Sequence, residues 1–234
     1  MNVSKIIASA LVAVGLLALG LCVRSGIKSI PDSQRTVEVR GLATREVAAN
    51  HVTWPIVFTQ VGNDLPQVYD YVASINTQIM SFLTDNGIDA AEISVSAPSM
   101  TNLTLNRYNS DPLPYKYSVT SVVTVSSTQV DKVRALINRQ GELLKRGIPI
   151  TTESYQYPIS YEFTELNSIK PEMIAEATDA ARQAAKKFAD DSHSSIGKIK
   201  SARQGQFSIE DRDSYTPYLK EVRVVTTLTY FLED

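Results

Sequence analysis

Cysteine occurs once in the 234 residues, at Cys22, and histidine twice, at His51 and His193. One cysteine excludes an intramolecular disulfide, and beyond residue 22 it excludes thiol chemistry altogether. No HExxH zinc pair, CxxC, GxSxG elbow or phosphate-binding glycine loop is present. A hydrolase needs a nucleophile beside an oriented base. His51 sits in a strand pattern near Trp54, and His193 lies in DSHSS, just past a helix pattern, where a histidine caps carbonyls or faces water. We therefore expect no enzymatic activity, no cofactor, and no catalytic, cofactor-binding or metal residues. A net charge of −2 without a basic stripe also argues against a nucleic-acid partner.

Charge is missing altogether from the 18 residues Ile6 to Val23. As a helix this run spans about 27 Å at roughly 1.5 Å per residue, just enough for a bilayer core about 30 Å thick. A cleaved signal peptide has a shorter apolar region and a small-x-small site, and Arg24 interrupts Val23-Arg24-Ser25. The expectation is an uncleaved signal-anchor, with cleavage as the alternative. Lys5 on one side and Arg24 and Lys28 on the other leave orientation undecided by charge. A short N-terminal tail before one span, followed by the whole domain, is the layout of a signal-anchor with its domain outside the cytoplasm. Leu21 stands where lipoprotein processing needs a small residue, so Cys22 reads as a dispensable apolar residue of the span. The expected organisation is a tail (1–5), a transmembrane anchor (6–23), a tether with Pro31 (24–34) and a folded domain (35–234).

The domain shows both periodicities. Val37 and Val39 alternate with Thr36, Glu38 and Arg40; Tyr117, Val119, Val123 and Val125 share a face, as do Val222, Val224, Leu228, Tyr230 and Leu232. A period of two predicts strands with one buried face. HVTWPIVFTQV (51–61) is strand-like, and Pro55 predicts an edge or a bulge there. Leu65, Val68, Val72, Ile75, Ile79 and Phe82 step by three and four, predicting a helix capped by Asp64 and ended by Gly87. Ile174, Ala177, Ala181, Ala184 and Phe188 predict a second helical stripe between Pro171 and Asp191, with alanines that permit close packing. A weaker helix is predicted from about Val130 to Lys145, with Gly141 as a local cost.

The order from His51 to about Phe163 reads β-α-β-β-α-β, the ferredoxin-like order. The expected class is α+β: mostly antiparallel sheet, about three helices, a ferredoxin-like core, an extra helix and a closing β-hairpin, all after the transmembrane helix. The acidic turn IEDRDSY (209–215) lacks calcium-loop spacing and reads as a solvated turn. Tyrosines cluster at Tyr108, Tyr115 and Tyr117 and at Tyr155, Tyr157 and Tyr161, read either as sheet packing or as a ligand or partner surface. Asn102 heads an N-x-T glycosylation pattern, and Pro112 and Pro114 break a loop.

Several stretches together resemble the SIMPL-domain family of envelope proteins: the opening strand VEVRGLATREV, the block YEFTELNSIKPEMIAEATDAARQAAKKFADDS (161–192), and the closing strands GKIKSARQGQFSI and KEVRVVTTLTYFL. The resemblance runs from about Thr36 to Leu232. Ala49-Asn50 departs from it, because many members carry Pro-Asp near that place. The resemblance implies an α+β fold and an envelope location; some members assemble into large rings, others are linked to oxidative stress, and no catalytic residue is agreed. The resulting expectation is a protein of the bacterial inner membrane with a periplasmic domain, a homo-oligomer acting by self-assembly or by binding an unidentified partner. The alternative is a small-molecule module with a tyrosine-lined pocket.

Overall fold

A computed structural model describes residues 3–32, 35–105, 114–151 and 155–233. Tyr108 and Pro112, singled out above, lie outside the described residues. An N-terminal helix, α1 (Val3–Asp32), is followed by β1 (Thr36–Ala48), β2 (His51–Gly62), α2 (Leu65–Asp85), β3 (Ile93–Val95), β4 (Ser99–Asn102) and β5 (Tyr117–Ser127). Then come α3 (Val130–Asn138), α4 (Gly141–Lys145), β6 (Ile150–Thr151), β7 (Ser160–Glu162), α5 (Leu166–Asp191), β8 (Ser195–Gln204), β9 (Ser208–Asp211) and β10 (Leu219–Glu233). The class is α+β, with antiparallel pairing between strands and five α-helices among the described residues.

The side chains of α1 are described at residues 11–25, and Leu11, Leu16, Leu17, Leu19, Leu21 and Val23 are all exposed. Among the described residues no helix is long and apolar enough to cross a membrane. The expected span 6–23 reaches beyond the described side chains at its N-terminal end, and so does most of the tether. Cys22 is free and exposed.

The chain forms two compact units. The first takes residues 1–45, 167–208 and 222–234. Its strand order is β1-β10-β8, with α5 supplying the helical side of the core. The buried stripe of α5 is Met173, Ala177, Ala181, Ala185 and Ala189, a strict four-residue step. The expected stripe is thus rotated: Ala177 and Ala181 hold, Ile174 and Ala184 are half-buried, and Phe188 is exposed. Alanine at each central position lets the strand approach the helix. A Cβ on Gly41 would lie 1.9 Å from the Ala177 carbonyl oxygen and 2.4 Å from the Ala181 nitrogen. The two sequence blocks that carry the resemblance meet at this contact. α5 begins at Leu166, earlier than expected, with Pro171 inside it.

The second unit takes residues 46–166 and 209–221. Its sheet runs β3-β5-β2-β6, with β4 also on β5 and β7 also on β2. β2, with which this unit's sheet begins in the sequence, therefore lies between β5 and β6. Val52, Trp54, Ile56 and Phe58 of β2 and Val119, Val123 and Val125 of β5 face α2, α3 and α4 in one core. Asp64 caps α2 by accepting from the Gln67 N–H at 3.0 Å. At its other end Gly87, at φ 82°, closes a Schellman turn: Gly87 N–H donates to Thr84 O and Ile88 N–H to Leu83 O. The predicted single helix 130–145 is two helices, with Gly141 opening the second one instead of costing the first. β2 is flanked on both sides, so it is not an edge strand, and its register with β5 runs through Pro55 without a bulge; on the other side residues 54–56 fall between its pairings with β7 and β6.

Candidate binding site

On one side of β2 the pairing is interrupted. Val57 pairs with Thr151 in β6, and Thr53 with Ser160 in β7. Only residues 54–56 of β2 lie between these pairs, against residues 152–159 of the other chain segment. Pro55 sits in the gap, where its missing N–H cannot serve a ladder. A cavity of about 410 Å³ lies beside Trp54, Pro55 and Ile56. Its walls are Ile150, Thr151, Tyr155, Tyr157, Pro158 and Ile159, with Gln140 from the α3–α4 turn at the rim. None of the described residues that line it carries a charge. Trp54, the one tryptophan of the chain, is 2% exposed. A second hollow of about 270 Å³ shares Pro55 and Tyr157 and is otherwise lined by Thr53, Ser96, Ala97, Ser99, Thr120, Val122 and Thr124.

The expected tyrosine clusters separate. Tyr155 and Tyr157 line the cavity, whereas Tyr161 packs edge-on against Tyr218 with centroids 6.3 Å apart. Arg134 lies 3.6 Å above the Tyr218 ring. Burial pushes the Tyr161 phenol above its ordinary pKa, with Arg134 acting against it. Tyr115 is exposed and Tyr117 half-buried. Gln140, Ile150, Thr151, Pro158 and Ile159 escaped sequence reasoning. The available signals were a proline in an otherwise clean strand and the run Tyr155-Gln156-Tyr157-Pro158.

His51 Nε2 and Ser126 Oγ share a hydrogen bond at 3.1 Å, which has the spacing of a nucleophile–base pair. His51 Nδ1 is buried and makes no hydrogen bond among the described residues. His193 ends α5 at φ 55°, with its N–H donating to Asp190 O and the Ser194 N–H to Ala189 O. Among the described residues no three His, Cys, Asp or Glu converge to hold a metal.

In the acidic turn, Asp213 Oδ1 accepts from the N–H groups of Tyr215 (2.8 Å) and Thr216 (2.7 Å). Its carboxyl is held well below the usual carboxylate range, first by the Thr216 hydroxyl and then by Arg212. Arg212 also reaches Glu46 at 3.1 Å, and Asp211 pairs with the buried Lys220. The turn is a self-satisfied structural element. Asn50, at the departure from the family pattern, accepts from the Thr164 N–H at 2.9 Å and its hydroxyl at 3.2 Å, bonds an aspartate there would also accept.

In the first unit a polar hollow of about 200 Å³ lies over the sheet between Glu38, Arg40, Ser201, Arg203, Thr227 and Thr229. Its arginines stand on β1 and β8, the outer strands of that sheet, where charge deters the addition of a further strand.

Residues 37–228 match the model of the SIMPL family, described as a protein of unknown function (DUF541). The chain is also similar to Translation machinery-associated protein 22 of Lodderomyces elongisporus, 25% identical over 182 residues covering 72% of this chain and 86% of that protein.

Proposed function

Because the chain belongs to the SIMPL family, with 37–228 matched, we propose that it is a membrane-anchored envelope protein without enzymatic activity. It acts by self-assembly or partner binding in the cell envelope, in a role connected with oxidative stress, with its domain in the periplasm of a bacterium. The observation that carries this reading is the apolar surface of α1: eight leucines and valines from Leu11 to Val23 stand exposed, each costing free energy in water that a bilayer would recover. The second unit is, on this reading, a ferredoxin-like core in which β3 with β4, α3 with α4 and β6 with β7 each take the place of one element of the β-α-β-β-α-β order, and β2 lies between β5 and β6. The name of the similar yeast protein concerns the translation machinery. No basic stripe in this chain supports carrying that role over.

Alkaline carbonate extraction of cells expressing the full chain tests the anchor. Retention in the pellet, lost in the double variant Leu16→Arg/Leu19→Arg, supports it; release of the wild-type chain into the supernatant refutes it. Native mass in detergent then separates assembly from a monomer. A second reading, a small-molecule module, is favoured by the cavity beside Pro55.

A further inference from the structure

We propose that the polar hollow on the sheet of the first unit binds a tetrahedral oxyanion of the phosphate class between Arg40 and Arg203. The proposal goes beyond both readings above and rests on neither. The hollow, of about 200 Å³, takes two residues from each of three neighbouring strands: Glu38 and Arg40 of β1, Thr227 and Thr229 of β10, Ser201 and Arg203 of β8. All three strands are described from end to end. Val39, Leu228 and Tyr230 point into the core under α5, so by strand alternation Glu38, Arg40, Thr227 and Thr229 point out of the opposite face. Register fixes the spacing. Thr227 pairs with Arg203 and Thr229 with Ser201. On the other side of β10 the Leu232 N–H donates to Arg35 O, and counting along the antiparallel strands from that bond sets Arg40 opposite Thr227 and Glu38 opposite Thr229. The row Arg40–Thr227–Arg203 thus holds two cations flanking one hydroxyl, and the row Glu38–Thr229–Ser201 lies beside it.

Adjacent strands stand roughly 5 Å apart, so the two arginines rise about 10 Å from each other across Thr227, close enough for both long side chains to close on one small ion. Arg45, Arg134, Arg139 and Arg212 each hold a carboxylate. Arg40 and Arg203 hold none among the described residues, although Glu38 shares their hollow. The Thr227 hydroxyl likewise makes no hydrogen bond among the described residues. Two like charges beside one threonine repel; an oxyanion between them removes that repulsion and gains charge-assisted hydrogen bonds from both. Geometry selects the class. A guanidinium presents a planar fork of N–H donors, and one fork fills a carboxylate. A phosphate has oxygens for two forks and for the Thr227 hydroxyl beneath them. The hollow is smaller than the roughly 300–1,000 Å³ of sites that enclose whole organic ligands, which suits inorganic phosphate or the phosphate end of a larger molecule. Glu38 opposes any anion held there, so it sets an upper bound on affinity.

Isothermal titration of the full chain in dodecyl maltoside, in low-salt buffer, tests the site with three probes: inorganic phosphate, acetate as a planar anion, and mixed micelles containing phosphatidic acid. We expect saturable phosphate binding, about fivefold or more weaker in Arg40→Gln and in Arg203→Gln, and acetate weaker than phosphate by a similar factor. Glu38→Gln should tighten phosphate binding several-fold. Both arginines are exposed and unpaired among the described residues, so their variants should keep the wild-type thermal midpoint without phosphate, and far-UV circular dichroism checks the fold. Binding of inorganic phosphate supports a soluble ligand. Binding seen only with phosphatidic acid and weakened by the same two variants supports a lipid headgroup at the same site. Absence of saturable binding in both arms, or binding indifferent to both arginine variants, overturns the proposal. Acetate binding as tight as phosphate overturns the tetrahedral class, and weaker phosphate binding in Glu38→Gln overturns the placement of the anion beside that carboxylate.

Discussion

A methyl group on Gly41 would lie 1.9 Å from the Ala177 carbonyl oxygen, and backbone at that distance cannot step aside as a side chain does. Gly41→Ala should therefore cost about 3 kcal/mol or more, and Ala181→Leu, on the facing helix, about 1–3 kcal/mol through overpacking. Exposed Lys187, paired only with Asp191, should tolerate alanine to within roughly 0.5 kcal/mol; urea midpoints of the three variants check the ranking, and an unshifted midpoint for Gly41→Ala refutes the contact. The inner face of β10 holds the opposite case. The hydroxyls of Thr226 and Tyr230 are buried and make no hydrogen bond within the described protein, so each carries a desolvation cost without return. Tyr230→Phe should leave stability unchanged or raise it by up to about 1 kcal/mol, and a clear drop in thermal midpoint would contradict this. Asp213 adds a pH dependence. Its folded pKa is depressed by the Thr216 hydroxyl and Arg212, so its contribution is complete above the ordinary carboxylate range near pH ~4 and is lost as pH falls through the depressed value. Asp213→Asn should lower the thermal midpoint at pH 7 and give a shallower decline below pH ~4; parallel acid limbs in the two proteins would refute the assignment. Of these positions, Gly41 stood at the end of the recognised strand pattern, yet its reason could not be read there, because the helix backbone it faces is more than a hundred residues away.

At the scale of elements, three helices end in one motif. α2 closes through Gly87, α4 through Gly147 and α5 through His193, each with the paired 6→1 and 5→2 hydrogen bonds of a Schellman turn. The glycines, both at φ 82°, adopt the left-handed conformation freely, whereas His193 at φ 55° carries a Cβ against it. His193→Gly should stabilise the chain by roughly 0.5–1 kcal/mol, measured by urea denaturation. Destabilisation would mean that the imidazole has a role the turn does not require. The strands and α2 were legible because their burial follows a single clean period. α5 was legible in place but not in phase. Its four-residue alanine step buries Ala185 and Ala189, whereas a reading that favours large residues put Phe188 inward. The break between α3 and α4 was hidden because Gly141 serves equally as a helix-interior cost or a helix start. Pro55 did not announce the cavity: Ile150, Thr151, Pro158 and Ile159 line it from about a hundred residues further along the chain, and no local pattern in β2 reports them.

At the scale of the whole molecule, the two units have cores of different kinds. The second is a broad cluster containing Phe58, Phe82, Ile75, Ile79, Leu83 and Leu143; the first is a small one of Val39, Ala181, Ala185, Leu228 and Tyr230. Nothing in the sequence marks the boundary after Arg45, because β1 and β10 are single strands whose residues divide between the units. Opening free energies follow buried apolar contact, so native-state hydrogen exchange should be slower in α2 and β5 than in α5 and β8. The alanine stripe makes this separable. Ala181→Leu strains only the first core, and a loss of about 1–3 kcal/mol there should speed exchange in α5 and the adjoining part of β10 by roughly 5- to 100-fold. If the units open independently, peptides from α2 and β5 keep their wild-type rates in this variant. If the chain opens as one cooperative body, the same substitution lowers protection in every peptide that exchanges through global unfolding, α2 and β5 included. Uniform loss of protection would refute independent opening. Unchanged exchange in α5 itself would refute the packing of the stripe against Gly41.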